Sequence, residues 1–211
     1  MTSLYLVRHG ETDWNAQHLI QGSTDIPLNA VGRRQAEATG RLLVRREWDG
    51  IYSSPLSRAF ETASIIASAV GLGRPDTIDG IVERNYGAAE GLNWEEIERQ
   101  FPDNTPIPGR ETRLEVAARV LPALVGLASS RPGTALLVVT HGGVIRSLLN
   151  SVDPDVEHGS ITNASVHSFE LVDGSLELVA FDDPIDELSL ECGTEGLDEQ
   201  NAIESRETLR G

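Results

Sequence analysis

Ala135-Leu136-Leu137-Val138-Val139-Thr140-His141-Gly142-Gly143 is the stretch on which the fold turns. Its run of aliphatic and β-branched residues, with no alternation of polar and apolar, suits a strand covered on both faces, as in a parallel sheet flanked by helices. Gly142 to Val152 then reads as a helix. Working outward, Ser3 to Val7 and Gly50 to Tyr52 are buried strands by the same criterion. Helical segments lie between: Ala30 to Arg46, with Ala36, Leu42 and Leu43 on one face behind the cap Asn29, and Pro55 to Val70 behind a Ser54-Pro55 cap and first-turn pair. Asn93 caps Trp94 to Phe101, and Glu111 to Ser129 is a longer helix disturbed by Pro122. Val166 to Val172 and Ser175 to Phe181 flank Asp173-Gly174, a two-residue hairpin signal, so one strand pair at least is antiparallel. The elements sum to an α/β fold, a three-layer α/β/α sandwich with a mixed, mostly parallel sheet ending in a β-hairpin.

A chain of 211 residues needs only one such domain. Its apolar runs fall far short of the roughly 20 residues of a membrane span, and Met1 to Val7 lacks a basic n-region, so a cytoplasmic protein with no membrane partner is expected. The 17 basic residues are all Arg. Without Lys there is no Walker A lysine, no Schiff base and no pyridoxal-phosphate anchor. Cys192 is the only cysteine, which excludes an internal disulfide, a CxxC pair and a thiolate zinc cluster. No GxSxG appears, against a nucleophile-elbow hydrolase. The net charge of −16 argues against nucleic acid as a partner and means that an anionic substrate needs a local gathering of Arg. Residues 182–211 carry ten acidic and two basic side chains, and no aromatic follows Phe181. They read as an acidic C-terminal tail beyond a domain of residues 1–181.

Ligands of open α/β sheets bind beyond the carboxyl ends of the strands. Arg8-His9-Gly10-Glu11-Thr12 follows the first strand, Ser53-Ser54-Pro55-Leu56-Ser57-Arg58 the second, and His141-Gly142-Gly143 the third. Singly, a strand-end His is usually a surface or core residue and Arg58 a solvated one. Together, two His and two Arg share one rim. Each His precedes a Gly that lets backbone N–H groups approach an anion, and Gly142 opens a helix whose positive end suits phosphate.

Leu6-Val7-Arg8-His9-Gly10-Glu11-Thr12 resembles the signature of the histidine phosphatase superfamily, phosphoglycerate mutase-like branch. The likeness extends in order through Asn15, Gln21-Gly22, Ser53-Ser54-Pro55, Arg58-Ala59, Thr62-Ala63, Glu83, Gly87, Gly91 and Thr140-His141-Gly142-Gly143, and so covers roughly Leu4 to Phe181. The resemblance implies that His9 attacks phosphorus and carries a phosphohistidine, with Arg8, Arg58, His141 and the Gly142 N–H holding the nonbridging oxygens. The chemistry requires a neutral imidazole with one bare nitrogen, which two nearby Arg favour and a backbone carbonyl on the other ring N–H completes. Strand alternation lets Arg8 and His9 share a pocket only if the chain has turned there, as Gly10 would allow. Glu83 resembles the general acid, and burial beside a phosphate dianion should raise its pKa; an ion pair with Arg84 is the bland alternative. Asn15, Gln21 and Gly22 resemble residues lining the phosphate pocket, with a loop-structural role equally open to Asn15 and Gln21. No cofactor and no metal are implied.

Arg84-Asn85-Tyr86 resembles the mutase form of this segment, in which Arg and Tyr hold a phosphoglycerate carboxylate. Trp94 stands where those mutases carry Lys, however, and the stretch from Glu95 to Arg113 is short. Pro108-Gly109-Arg110-Glu111-Thr112 resembles the phosphatase turn, with Arg110 intruding. A phosphomonoesterase on a small phosphorylated metabolite is therefore expected, ahead of a 2,3-bisphosphoglycerate-dependent mutase and a noncatalytic phosphoester-binding module. An edge-strand homodimer is compatible with the family. Trp14, Trp94, Tyr86 and Phe101 are read as core before ligand wall. His167 is expected on a sheet face, His158 in a loop and His18 at the mouth, while the backbone of Asn163-Ala164-Ser165 is expected to approach the site.

Overall fold

The computed structural model describes residues 1–102 and 105–183. Twelve elements follow in order: β1 (Thr2–Arg8), α1 (Asp13–Ala16), α2 (Ala30–Leu43), β2 (Gly50–Ser53), α3 (Ser57–Val70), β3 (Asp76–Thr77), α4 (Trp94–Gln100), α5 (Arg113–Ser130), β4 (Ala135–Thr140), α6 (Gly142–Val152), β5 (Val166–Val172) and β6 (Ser175–Ala180). They form one six-stranded sheet in the order β3-β2-β4-β1-β5-β6. The first three pairings along it are parallel, and β5 and β6 close it antiparallel. Asp173 and Gly174, at φ 48° and 84°, make the left-handed turn between the last two strands, as a two-residue hairpin requires.

The continuous apolar strands are covered on both faces. Leu4, Leu6, Leu136 and Val138 pack on Val116, Val120 and Leu124 of α5 and on Ile145 and Leu148 of α6. Val7, Ile51, Leu137 and Val139 pack with Leu43 of α2 and with Ala63 and Ile66 of α3. Odd and even residues of one strand thus build two separate cores, which makes the sandwich three-layered. A third, small cluster of Ile20, Tyr86, Ala89 and Ile97, with Trp94 and Phe101 against it, supports the loops above the sheet.

Three local expectations are corrected, and one short strand that the sequence did not signal is added. Helix α3 starts at Ser57, not Pro55, with Leu56 as an N-cap lacking a side-chain bond. Its first N–H is taken instead by Asp25 Oδ1, 2.8 Å from Ser57 N, a partner thirty-two residues away that no local pattern reveals. Pro122 does not interrupt α5, because it is exposed and the carbonyl it leaves unpaired can meet water. The two-residue strand β3 has both residues exposed and so shows no hydrophobic signature. Asp182 and Asp183, assigned from sequence to the tail, are held on β5 by bonds from Asp182 N to His167 Nδ1 and from Asp183 N to Val166 O. The rest of the acidic stretch and Cys192 lie outside the described residues. No described helix is long and apolar enough to cross a membrane.

Candidate active site

Strand β1 runs through Arg8, and its ladder continues one residue further, His9 N–H donating to Thr140 O at 2.9 Å. No turn separates the two side chains. They meet because both reach past the end of the sheet, Arg8 from the α5–α6 face and His9 from the other. The Arg8 guanidinium donates to Ile161 O at 2.6 Å and lies against Gly142, where a Cβ would stand 3.4 Å from its Nε. His9 Nδ1 is 2.7 Å from Gly10 O. A carbonyl only accepts, so Nδ1 carries the ring proton and Nε2 the lone pair. The backbone after His9 is fixed from three sides: Gly10 N–H donates to Thr62 Oγ1, Asn163 Nδ2 donates to His9 O, and Ala164 N–H donates to Arg8 O, each at 3.0 Å. Gly10 also touches the first turn of α2 directly, where a Cβ on it would collide with Gly32 O.

His141, at the end of β4, begins α6 and brings its ring centroid to 5.2 Å from that of His9. Its Nε2 is 2.8 Å from Ser54 Oγ, and its buried Nδ1 has no protein partner. Arg58, in the first turn of α3, donates to Thr24 O at 2.8 Å and Gly22 O at 2.7 Å, leaving its buried Nε without a partner. Gln21 accepts from Thr12 Oγ1, and its buried Nε2 likewise has no partner. Three buried nitrogens, Arg58 Nε, Gln21 Nε2 and His141 Nδ1, thus lack a protein partner. Asn15 plays a structural part, since its Oδ1 accepts from Thr12 N and closes the capping box of α1.

Glu83 stands on an irregular segment beyond a 3₁₀ turn at Asp79–Ile81. Its carboxylate accepts from Arg84 N at 2.8 Å and from Gly143 N at 3.2 Å, so it sits directly beside the start of α6. A Cβ on Gly143 would come within 2.7 Å of Glu83 Oε1, so a larger residue there would displace that carboxylate. The Arg84 side chain donates to Glu111 O and lies over the Tyr86 ring, 5.1 Å from its centroid. Both residues are buried. A groove of about 550 Å³ opens at Glu83, lined among others by Ser23, Asn85, Arg110, Glu111 and Arg119.

Arg8, His9, Arg58, Glu83 and His141 are each at most 2% exposed. Burial first, then Arg58 and Arg8, push the His9 pKa well below the ordinary 6.5, against the bond to Gly10 O. His141 is lowered by burial, Arg58, His9, Arg8 and Arg119. Burial brings Arg58 down to about 10, still cationic at neutral pH. Two neutral imidazoles between two guanidiniums form a cationic well in a strongly acidic protein.

Two supports have no local sequence signal. Glu90 accepts from the N–H and hydroxyl of both Ser23 and Thr24 and from Tyr86 N, and so holds the loop whose carbonyls bind Arg58. Arg119 grips the Glu83 segment from α5. His18 stays apart from this network at φ 57°, while His158 pairs with Asp153 and His167 is buried on β5. Trp94 and Phe101 belong to the loop-supporting cluster. Among the described residues no group of three or more His, Cys, Asp or Glu is placed to hold a metal ion.

The fold and site define an α/β protein that gathers two histidines and two arginines at the carboxyl end of a parallel sheet. The chain belongs to the histidine phosphatase superfamily, branch 1, which it matches over residues 4–184. It is 42% identical over 176 residues to the uncharacterised phosphatase PhoE of Bacillus subtilis, covering 82% of this chain and 90% of that one. It is 32% identical over 187 residues to a 2,3-bisphosphoglycerate-dependent phosphoglycerate mutase of Methylorubrum extorquens, covering 81% and 85%. Its fold matches the mycobacterial glucosyl-3-phosphoglycerate phosphatase complexed with VO3 at a TM-score of 0.76, with 29% identity over 85% of this chain and 98% of that one. The protein is a phosphatase of this superfamily.

Proposed function

We propose that the protein is a metal-independent phosphomonoesterase that turns over small phosphorylated metabolites through a phosphohistidine at His9. The observation that carries this reading is the fixed tautomer of a buried His9, with Nδ1–H on Gly10 O and Nε2 bare among cations. The Nε2 lone pair attacks phosphorus as the ester P–O bond breaks, and the leaving alkoxide takes a proton from Glu83. The ring becomes positively charged, and the bond from Nδ1–H to Gly10 O stabilises it. Arg8, Arg58 and Gln21 Nε2 supply donors to the equatorial oxygens, and the two guanidiniums bring positive charge that a metal would otherwise supply. His141 Nε2 pairs with Ser54 Oγ, and in the tautomer in which that hydroxyl donates to Nε2, His141 Nδ1–H is a further donor to the phosphate. In the second half water attacks phosphorus, the P–N bond breaks with its electron pair returning to His9 Nε2, the water's protons leave with the phosphate, and Glu83 regains its proton from solvent.

An alkaline quench of the chelator-treated enzyme with substrate, followed by mass spectrometry, should place the phosphoryl group on His9; a label elsewhere, or near-normal turnover by His9→Ala in chelator, defeats the reading. Glu83→Gln should slow alkyl phosphates by about 10² or more while sparing p-nitrophenyl phosphate, whose leaving group scarcely needs a proton. The mutase reading rests on the proximity of Arg84 and Tyr86 to Glu83 and on the Methylorubrum relative. Trp94 in the place of the mutases' Lys and the short stretch from Glu95 to Arg113 favour hydrolysis. With 3-phosphoglycerate and 2,3-bisphosphoglycerate supplied together, phosphate release should exceed isomer exchange; the reverse ratio supports the mutase.

A further inference from the structure

The segment from Ile78 to Tyr86 carries Glu83 without a strand or α-helix of its own, so carbonyls along it must find donors elsewhere. Arg119 supplies them. Its NH1 group donates to Gly80 O at 3.0 Å and Val82 O at 2.6 Å, and its NH2 group to Glu83 O at 3.1 Å. The other NH2 hydrogen and Nε–H go to the two carboxylate oxygens of Glu111, at 3.0 and 2.8 Å. All five guanidinium donors are used, three on the backbone flanking one carboxyl-bearing residue. Glu111 grips the same segment from its far side, accepting from Asn85 N at 3.0 Å through Oε2 and donating its own N–H to Asn85 O at 2.8 Å. Burial opposes ionisation of Glu111, but the bonds from Arg119 and Asn85 N more than offset it and lower its pKa, so the pair is ionic at working pH.

We propose that Arg119, braced by Glu111, is the positioning residue of the general acid: it sets where the Glu83 carboxyl stands against the leaving oxygen, and it does this as a bracket on backbone carbonyls rather than by touching substrate. The inference rests on the acid role given to Glu83 above. Only arginine can do this, because lysine has three donors at a point and no planar fork. The Glu83 carboxyl is held from the other side by Gly143 N, on the same helix start that lines the phosphate pocket. Loosening the bracket therefore shifts the acid relative to phosphorus while Arg8, His9 and Arg58 keep their own carbonyl partners.

A merely structural arginine would depress all substrates alike; a positioning one would not. In the full chain, Arg119→Met should lower kcat for β-glycerophosphate about tenfold or more and kcat for p-nitrophenyl phosphate by less than about threefold, with both KM values within about threefold of wild type. Arg119→Lys should recover only part of the loss. In a Glu83→Gln background Arg119→Met should add less than about threefold, because the acid it places is gone. Equal losses on the two esters, or full additivity with Glu83→Gln, overturn the proposal. Glu111→Gln, which keeps the shape of the brace and removes its charge, serves if Arg119→Met does not fold, and must show the same selectivity. Should Glu83→Gln itself lack leaving-group selectivity, the acid assignment and this proposal fall together; if Glu83→Gln is selective and the Arg119 and Glu111 variants are not, only the positioning role fails.

Discussion

The proton on His9 decides whether the pocket holds a nucleophile or a third cation. Burial and two guanidiniums keep the ring neutral far below its ordinary pKa, and Gly10 O chooses the tautomer. Long-range nitrogen–proton NMR correlations at pH 6 should therefore show His9 uncharged and protonated at Nδ1; an imidazolium signal at that pH contradicts the geometry. Of the two guanidiniums, Arg58 lowers the His9 pKa more than Arg8 does. Its removal should raise the His9 pKa toward 6.5, since one cation fewer opposes protonation, and Arg58→Ala followed by the same measurement gives the direction. An unchanged or lower value would mean that burial alone governs the ring.

Between strands and helices, the site is assembled by loops tied to distant residues. Glu90 accepts five donors from Ser23, Thr24 and Tyr86, so Glu90→Gln, which turns an amide N–H₂ toward some of them, should cost about 1–3 kcal/mol of stability and weaken phosphate binding through the loop that holds Arg58. Thermal melting and calorimetry with inorganic phosphate check both, and a variant with wild-type affinity would show that the loop does not need this tie. Such contacts mark the limit of what a sequence discloses. Strands covered on both faces, the Asn93 cap and the Asp173-Gly174 turn are legible because their causes are local, in hydrophobic runs and turn chemistry. The strand-end positions of Arg8, His9, Arg58 and His141 follow from the same runs. Asp25 capping α3, Glu90 under the loop and Arg119 on the Glu83 segment were not legible. Each joins residues some thirty or more positions apart through a polar side chain, and neither periodicity nor propensity records such a pairing. Strand β3, two exposed residues on an edge, is too short to carry a pattern.

Across the molecule, three buried histidines make stability depend on acid. His9 and His141 are held well below 6.5, and burial takes His167 down to about 3. The unfolded chain binds protons at these positions from about pH 6.5 downward while the native one does not. Stability is therefore complete above that pH and falls below it, by about 1.4 kcal/mol per pH unit for each histidine until its native pKa is reached. Denaturant midpoints at pH 7 and pH 5 should differ accordingly, and a flat profile would contradict the burial of these rings. Phosphate, binding only the folded pocket, should offset part of the loss. Strand β1 lies between β4 and β5 and beneath helices on both sides, so its amides have no route to solvent short of separating the layers. The groups that would grip phosphate hang from the end of that strand. Deuterium uptake at Leu4 to Val7 should thus follow global opening, and phosphate bound at the rim should slow uptake through the whole central sheet, not only at the loops it touches.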